Sequence, residues 1–245
     1  MKILVPIKRV PDPYAKVRPL SDGSGLDLSN IKFEINPFDE IAMESAVTQK
    51  ETHGNIEIIS VSIGISDCET QLRKSLAMGA DRGVLIETQD QLDPGQIADE
   101  LKAVVESEGI DLVIMGKQAT DDDNNQTGQM LAAKLKWPQA TFASKITLEN
   151  SHATVVRETD LGDETVKVPL PCIITADLRL AEPRYIALPG IIKAKSKPLE
   201  KRSRTSSGTS RIHVDKIESS ARKSSCKKVG NVDELIVELK KVGAI

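Results

Sequence analysis

The chain has 245 residues, of which 39% are hydrophobic and only 2% aromatic, and it carries a net charge of −3. That length admits one large α/β domain or a domain with appendages, with a core of Ile, Leu, Val and Ala such as a helix-covered parallel sheet uses. The scarcity of rings argues against a base-stacking nucleic-acid platform, and no apolar run approaches the roughly 20 residues of a membrane span.

Charge is uneven along the chain. Residues 1–192 hold 19 Lys+Arg against 30 Asp+Glu, whereas residues 193–228 hold 12 against 3. This predicts an acidic α/β body over 1–192 and a basic extended arm with a C-terminal helix over 193–245. Such an asymmetry concerns partners rather than fold.

Residues 2–7, KILVPI, read as an apolar strand ending near Pro6, which has no amide for a ladder. Lys8 and Arg9 cut the apolar stretch short. The start therefore reads as a strand rather than a secretion signal, and the chain is expected in the cytoplasm. Residues 11–30, with Pro, Asp, Gly and Ser, are irregular. Asn36 and Pro37 open a helix over about 37–51, Asn being a good N-cap and Pro fitting the first helical position. Residues 56–63 form a second strand. Ser66 and Glu69 make a capping box for a helix that runs to about Met78 and stops at Gly79. Strand 83–87, helix 94–108, strand 111–115 and helix 124–135 follow. Four strand–helix alternations with short connections predict an open α/β sheet with right-handed crossovers. Beyond Trp137, segments near 141–149, 153–158, 164–168 and 172–176 have strand character and predict a hairpin-rich extension of that sheet. Residues 197–230 are poor in apolar side chains and are expected to order only against something else. A final helix, about 231–242, places Val232, Leu235, Ile236 and Leu239 on one face.

In open α/β sheets, ligands sit beyond the carboxyl ends of the strands. Loops 6–10, 62–65 and 116–127 gather on that edge, and the last reads GKQATDDDNNQT. A helix starting near Asn124 turns free amides toward this mouth, which favours an anion. Gly116 permits close backbone approach, and Asn125, Gln126 and Thr127 supply neutral hydrogen bonds. Asp121, Asp122 and Asp123 oppose a phosphate unless they turn away, cap the helix or act through the backbone. A magnesium site has no second acidic cluster to support it. There is no Walker lysine–serine pair and no G-x-G-x-x-G, so spacing alone leaves a nucleotide site and a capped, solvated turn equally open. His53, His152 and His213 stand in polar contexts and complete no nucleophile set, so the pattern favours a carrier or binding protein over an enzyme. Arg157 and Glu158 fit either a surface ion pair or an interface. Cys68, Cys172 and Cys226 lie far apart without metal-ligand spacing, and the first two read as buried thiols of a reducing compartment. A stress-type nucleotide binder and a nucleic-acid binder using the basic arm are the competing readings.

Several stretches together resemble one family. NPFDEIAMESAV, LAMGADR, GKQATDDDNNQTGQM, WPQATFAS, TADLRLAEPRY and ALPGIIKAKSKP are similar to the beta subunit of electron transfer flavoprotein, over roughly residues 1–200. The resemblance implies a Rossmann-like, adenine nucleotide alpha hydrolase-like sheet and a heterodimer with a larger alpha subunit that holds most of one FAD. It implies electrons taken from flavoprotein dehydrogenases, such as acyl-CoA dehydrogenases, and passed to a membrane quinone oxidoreductase. It also implies a structural AMP at Pro6, at Asn36, Pro37, Phe38 and Asp39, at Ile63, and at Gly116, Lys117, Gln118, Ala119, Thr120, Asp121, Asp122, Asp123, Asn124, Asn125, Gln126 and Thr127. A sister group bifurcates electrons and binds a second FAD in place of AMP; residues 123–127 resemble the AMP type.

The resemblance further implies a recognition loop over about 182–197, with Leu188 as its anchor in an apolar pocket of the dehydrogenase. Tyr185, Pro189 and Ile191 lie around that anchor, and Lys193, Lys195 and Lys197 steer an acidic partner. Glu158 matches a residue that faces an alpha-subunit arginine near the flavin. The chain departs from the family pattern at Pro6, often Ala, at Asp160-Leu161-Gly162, usually Asp-Gly-Gly, and at Gly190, usually Asn. Beyond about residue 200 the likeness is loose.

Overall fold

A computed structural model of the chain describes residues 1–206, 208, 210–219 and 226–245. The elements run β1 (Lys2–Pro6), β2 (Arg9–Pro11), β3 (Arg18–Pro19), β4 (Leu26–Asp27), β5 (Phe33–Ile35), α1 (Pro37–His53), β6 (Glu57–Gly64), α2 (Glu69–Met78), β7 (Arg82–Glu87) and α3 (Pro94–Glu108). They continue with β8 (Leu112–Gly116), α4 (Thr127–Leu135), β9 (Gln139–Leu148), β10 (His152–Thr159), β11 (Gly162–Pro169), β12 (Cys172–Ala176), α5 (Leu188–Ser196), β13 (Leu199–Ser203) and α6 (Val232–Lys241).

Nine strands form one sheet in the order β11-β10-β9-β12-β8-β1-β6-β7-β13. From β9 through to β13 neighbours pair in parallel, and within this sheet, among the described residues, only β9, β10 and β11 form antiparallel ladders. The central strands β1 and β8 carry unbroken apolar runs because both faces are covered, and β6 adds the buried Ser60 and Ser62 to its apolar residues. Alternation sorts the side chains: Ile3 and Val5 enter one layer with Met43, Leu72 and Leu76, while Leu4 enters the other with Leu101, Val104 and Leu131. The result is a three-layer α/β/α sandwich around a mostly parallel sheet. Pro6 is the last residue of β1, opposite Val61, as its missing amide requires.

Four expectations change on the structure. Residues 172–176 do not extend the hairpins; they are β12, inserted parallel between β9 and β8 with every residue buried. Ser66 does not cap a helix. It opens a single 3₁₀ turn, Ser66–Cys68, with no side-chain cap bond, and the capping box forms instead between Asp93, just ahead of Pro94, and Gln96. The boundary at 192/193 falls inside α5. Part of the basic arm orders within the chain itself, where β13 pairs in parallel with β7, Arg202 pairs with Glu108, and Arg204 Nη1 meets Asp90 at 2.7 Å. The buried Glu100 carboxylate accepts the amides of Thr205 at 3.1 Å and Ser206 at 2.6 Å. Burial opposes its charge, and those hydrogen bonds outweigh burial and hold its pKa below the usual carboxylate value. Positive charge in the arm thus answers negative charge on the sheet edge. The stretch 220–225 of the expected arm lies outside the described residues.

Two compact units are distinguishable, residues 1–17 with 28–214, and residues 18–27 with 215–245. The second holds the β3–β4 ladder, whose Gly23 carbonyl accepts the amide of Ile217 at 2.9 Å. It also holds α6, capped by Asn231 onto the Glu234 amide and burying none of its residues. Among the described residues no helix is long and apolar enough to cross a membrane.

Candidate functional site

The loops beyond β1 and β8 are tied to the start of α1 by one buried side chain. Asp39 Oδ2 accepts the Lys8 amide at 2.8 Å, and its Oδ1 accepts the Gly116 amide at 3.1 Å. Asn36 stands at the N-cap position of α1 but makes no cap bond. Its Nδ2 donates to the Gln118 carbonyl at 2.8 Å and its Oδ1 accepts the Thr120 amide at 3.3 Å, so it fastens loop 116–127 instead. Gly116 lies against α1 itself: an added Cβ there would stand 2.4 Å from Asp39 Oδ1 and 2.7 Å from Phe38 Cβ. The close approach expected toward a ligand is made by the α1 N-terminus.

The aspartates have separate partners. Lys8 Nζ bridges Asp121 Oδ1 and Asp122 Oδ2, each at 2.8 Å. Burial works against the lysine's charge, and the hydrogen bonds and charges of those two carboxylates prevail, so its pKa is raised. Asp123 accepts from Gln118 Nε2 at 2.7 Å. Asp123 and Asn125 have φ of 51° and 49°, in the left-handed region that Asp and Asn tolerate best among residues with a Cβ. Short polar side chains here are thus a backbone requirement as much as a chemical one.

Helix α4 begins at Thr127, three residues later than expected, and its N-cap residue Gln126 makes no side-chain cap bond. The first-turn amides therefore remain to be satisfied from beyond the helix. Gly128 brings that helix end down onto the sheet, since a Cβ would meet Thr175 Cγ2 at 2.7 Å. Beside it, Gln129 Nε2 donates to Asn125 Oδ1 at 3.0 Å, while its buried Oε1 has no partner among the described residues. Ile63 lies one residue from the end of β6, next to β1.

Lys117 turns away from this mouth. Its Nζ bonds Asp177 Oδ2 at 2.6 Å and lies 5.5 Å and 5.0 Å from the ring centres of Phe38 and Phe142. Phe142 has φ of 59°, unusual for a bulky residue, at the irregularity in the β9–β12 pairing. Arg157 does not pair with Glu158; it holds Glu164 at 2.9 Å, and Glu158 instead meets the exposed Arg179 at 3.4 Å.

The expected recognition loop is part loop and part helix. Tyr185 is exposed, Pro189 occupies the first turn of α5, and Leu188, Ile191, Ile192, Lys193 and Lys195 face solvent. Lys197 does not: its Nζ donates to the carbonyls of Leu76 at 2.9 Å and Ala80 at 2.6 Å, so it cannot steer a partner. Sequence reading missed Lys8, Gly128, Gln129 and Asp177. Only Lys8 left a signal: three successive carboxylates need a cation, and Lys8 lies on the same sheet edge.

Asp39 gives this site a pH dependence. Burial pushes its carboxyl up to about 7, against the pull of the amides it accepts. Between an unfolded value near 4 and about 7, the folded chain keeps a proton that the unfolded chain has lost. The group's stabilisation is therefore complete below about 4 and is lost as pH rises to about 7. Relative to Asp39→Asn, the native chain should lose stability from pH 4 to 7 and level off above, as read by denaturant unfolding at each pH. A difference that stays flat or rises contradicts this.

An open, mostly parallel sheet with helices on both faces and loops gathered beyond its carboxyl ends defines an α/β protein of the Rossmann-like class. The electron transfer flavoprotein domain family matches residues 26–207. Electron transfer flavoprotein subunit beta of Bradyrhizobium diazoefficiens is 50% identical over 243 residues, covering 98% of each chain. The mitochondrial subunit beta of Arabidopsis thaliana is 49% identical over 245 residues, again 98% of each, and that of Homo sapiens is 44% identical over 252 residues, covering 100% of this chain and 99% of its own. The chain belongs to the electron transfer flavoprotein family, on its beta-subunit side. Its role is in electron transfer, as a carrier rather than an enzyme, and membership implies association with flavin and with an alpha subunit.

Proposed function

We propose that the mouth between β1, β6 and α4 holds AMP as a permanent structural ligand, in a heterodimer whose alpha subunit carries most of one FAD. The carrying observation is the uncapped start of α4, where free amides meet a loop whose Asp121 and Asp122 are already neutralised by Lys8. A phosphate monoester satisfies such amides without competing carboxylates. The orphaned Gln129 Oε1 nearby is a hydrogen-bond acceptor for an amino or hydroxyl group. These residues fit an adenylate; Asp39, Asn36 and Gly116 hold the loops that form its walls, and Lys117 acts through Asp177 rather than on phosphate.

FAD supplies the redox chemistry when bound, and this chain's part is to dock and orient. Electrons arrive from flavoprotein dehydrogenases that engage Leu188 and its exposed apolar neighbours, with Lys193 and Lys195 steering an acidic partner. They leave to a membrane quinone oxidoreductase, the carrier itself working in the cytoplasm. Glu158, whose present partner Arg179 is mostly exposed, is free to exchange it for an alpha-subunit arginine. The exposed Val232, Leu235 and Ile236 of α6 pack on the alpha subunit. Acid extraction of the purified heterodimer tests the reading: about one AMP per complex supports it, and a second FAD in its place overturns it.

A further inference from the structure

We propose that Arg73 and Lys197 are positioning residues that hold α5 ordered in advance for the incoming dehydrogenase. The inference rests on the docking role of Leu188 given above. Helix α5 has nine residues and buries only Ala194. A helix that short is not stable alone, and this one turns Leu188, Ile191 and Ile192 outward instead of burying them. Its order must come from contacts other than its own apolar face.

Those contacts are reciprocal caps between α5 and α2. Arg73, on α2, donates through Nη1 to the carbonyls of Ala194 at 3.0 Å and Lys197 at 2.9 Å, at the end of α5. Glu69, one turn earlier, accepts from its Nε and Nη2 at 3.4 and 3.3 Å and fixes the guanidinium. In return, Lys197 donates to the Leu76 carbonyl in the last turn of α2 and to the Ala80 carbonyl two residues past its end. Each cation satisfies orphan carbonyls at the negative end of the other helix. Gly190 lets the two backbones meet, since a Cβ would lie 3.1 Å from the Ala77 carbonyl oxygen. At the other end, Arg184 forks onto Glu44 and Glu51 from α1, at 2.8 and 2.6 Å, and fixes the chain just before Tyr185. The docking helix is clamped at its C-terminal end and the chain leading into it is fixed at Arg184, while its apolar side stays open. Order established in the free carrier need not be established on binding, which strengthens association without adding a contact.

The test uses the FAD-loaded heterodimer as varied substrate for an acyl-CoA dehydrogenase reducing it from acyl-CoA. Arg73→Gln is expected to raise the KM for the carrier about 10-fold, with kcat and the bound-flavin spectrum unchanged. In a Leu188→Ala background the same change should add less than about twofold, because a positioning residue has nothing left to position. Lys197→Gln should behave alike and carries the test should Arg73→Gln fail to fold. If Leu188→Ala raises KM while both clamp variants leave it unchanged, or if the effects simply add, the positioning role is overturned and docking stands. If Leu188→Ala itself has no effect, the docking reading falls.

Discussion

Truncating Leu188 to alanine in the heterodimer is expected to raise the KM for the carrier about 30-fold, ~2 kcal/mol of transition-state stabilisation, with FAD and AMP still bound. The size follows from where the side chain lies. Leu188 is 68% exposed at the start of a helix whose single buried residue is Ala194. The folded chain therefore loses little when it is shortened, and its melting temperature should hold, as for other exposed positions. A leucine that contributes so little at home contributes when desolvated in a partner's pocket, and such central anchors dominate association energies. Steady-state kinetics with a dehydrogenase, beside a thermal melt and a flavin spectrum, separate the two. An unchanged KM, or a fall in melting temperature that accounts for the change, would remove Leu188 from the docking role.

The second large effect belongs to Gly116. Substituting alanine places a methyl 2.4 Å from Asp39 Oδ1, 2.7 Å from Phe38 Cβ and 3.1 Å from the Phe38 carbonyl carbon. The last is backbone at the start of α1 and cannot swing aside, so α1 and β8 must separate. Overpacking of this kind costs ~1–3 kcal/mol. Separation also takes the Gly116 amide from Asp39, and with it the common tie of loops 6–10 and 116–127. Gly116→Ala should lower the melting temperature by about 3–10 °C for a chain of this length and release adenylate during purification. Gly25→Ala is the control, since its methyl would find only Leu20 Cδ1, at 3.7 Å. Retention of nucleotide by the Gly116 variant would contradict the role given to that junction.

What was legible in the sequence was periodic or covalently local. The runs that became β1, β6 and β8 and the 3.6-residue spacing in α3 fix their elements because burial on two faces, or on one stripe, leaves no other arrangement. Local patterns were less decisive: Ser66-x-x-Glu69 and Asp93-x-x-Gln96 both satisfy the capping-box pattern, yet only Asp93, followed by Pro94, forms the reciprocal bonds. The 172–176 segment looked like one more hairpin strand because its neighbours were hairpins. Its unbroken burial, rather than alternation, was the sign of a central parallel strand. Within the site, loop 116–127 was marked by its place at the carboxyl edge of the sheet, with a nucleotide site and a solvated turn equally open, whereas residues 36–39 and the choice of ligand came through resemblance. The pairings around the site join residues far apart in the chain, Lys8 with Asp121 by 113 positions and Lys117 with Asp177 by 60, and the one that holds α5, Arg73 with Lys197, spans 124. One-dimensional spacing carries no signal for such pairs. The left-handed backbone at Asp123 and Asn125 explains a polar run that composition alone left ambiguous between ligand chemistry and turn.

The central claim is that this chain is one half of a flavin carrier and supplies an adenylate cradle of its own. Native mass spectrometry of the complex purified through this chain tests it most directly. The predicted mass is that of this chain with one larger flavoprotein partner, one FAD and one AMP. A complex holding two FAD and no AMP, or this chain appearing alone and without flavin, would contradict it.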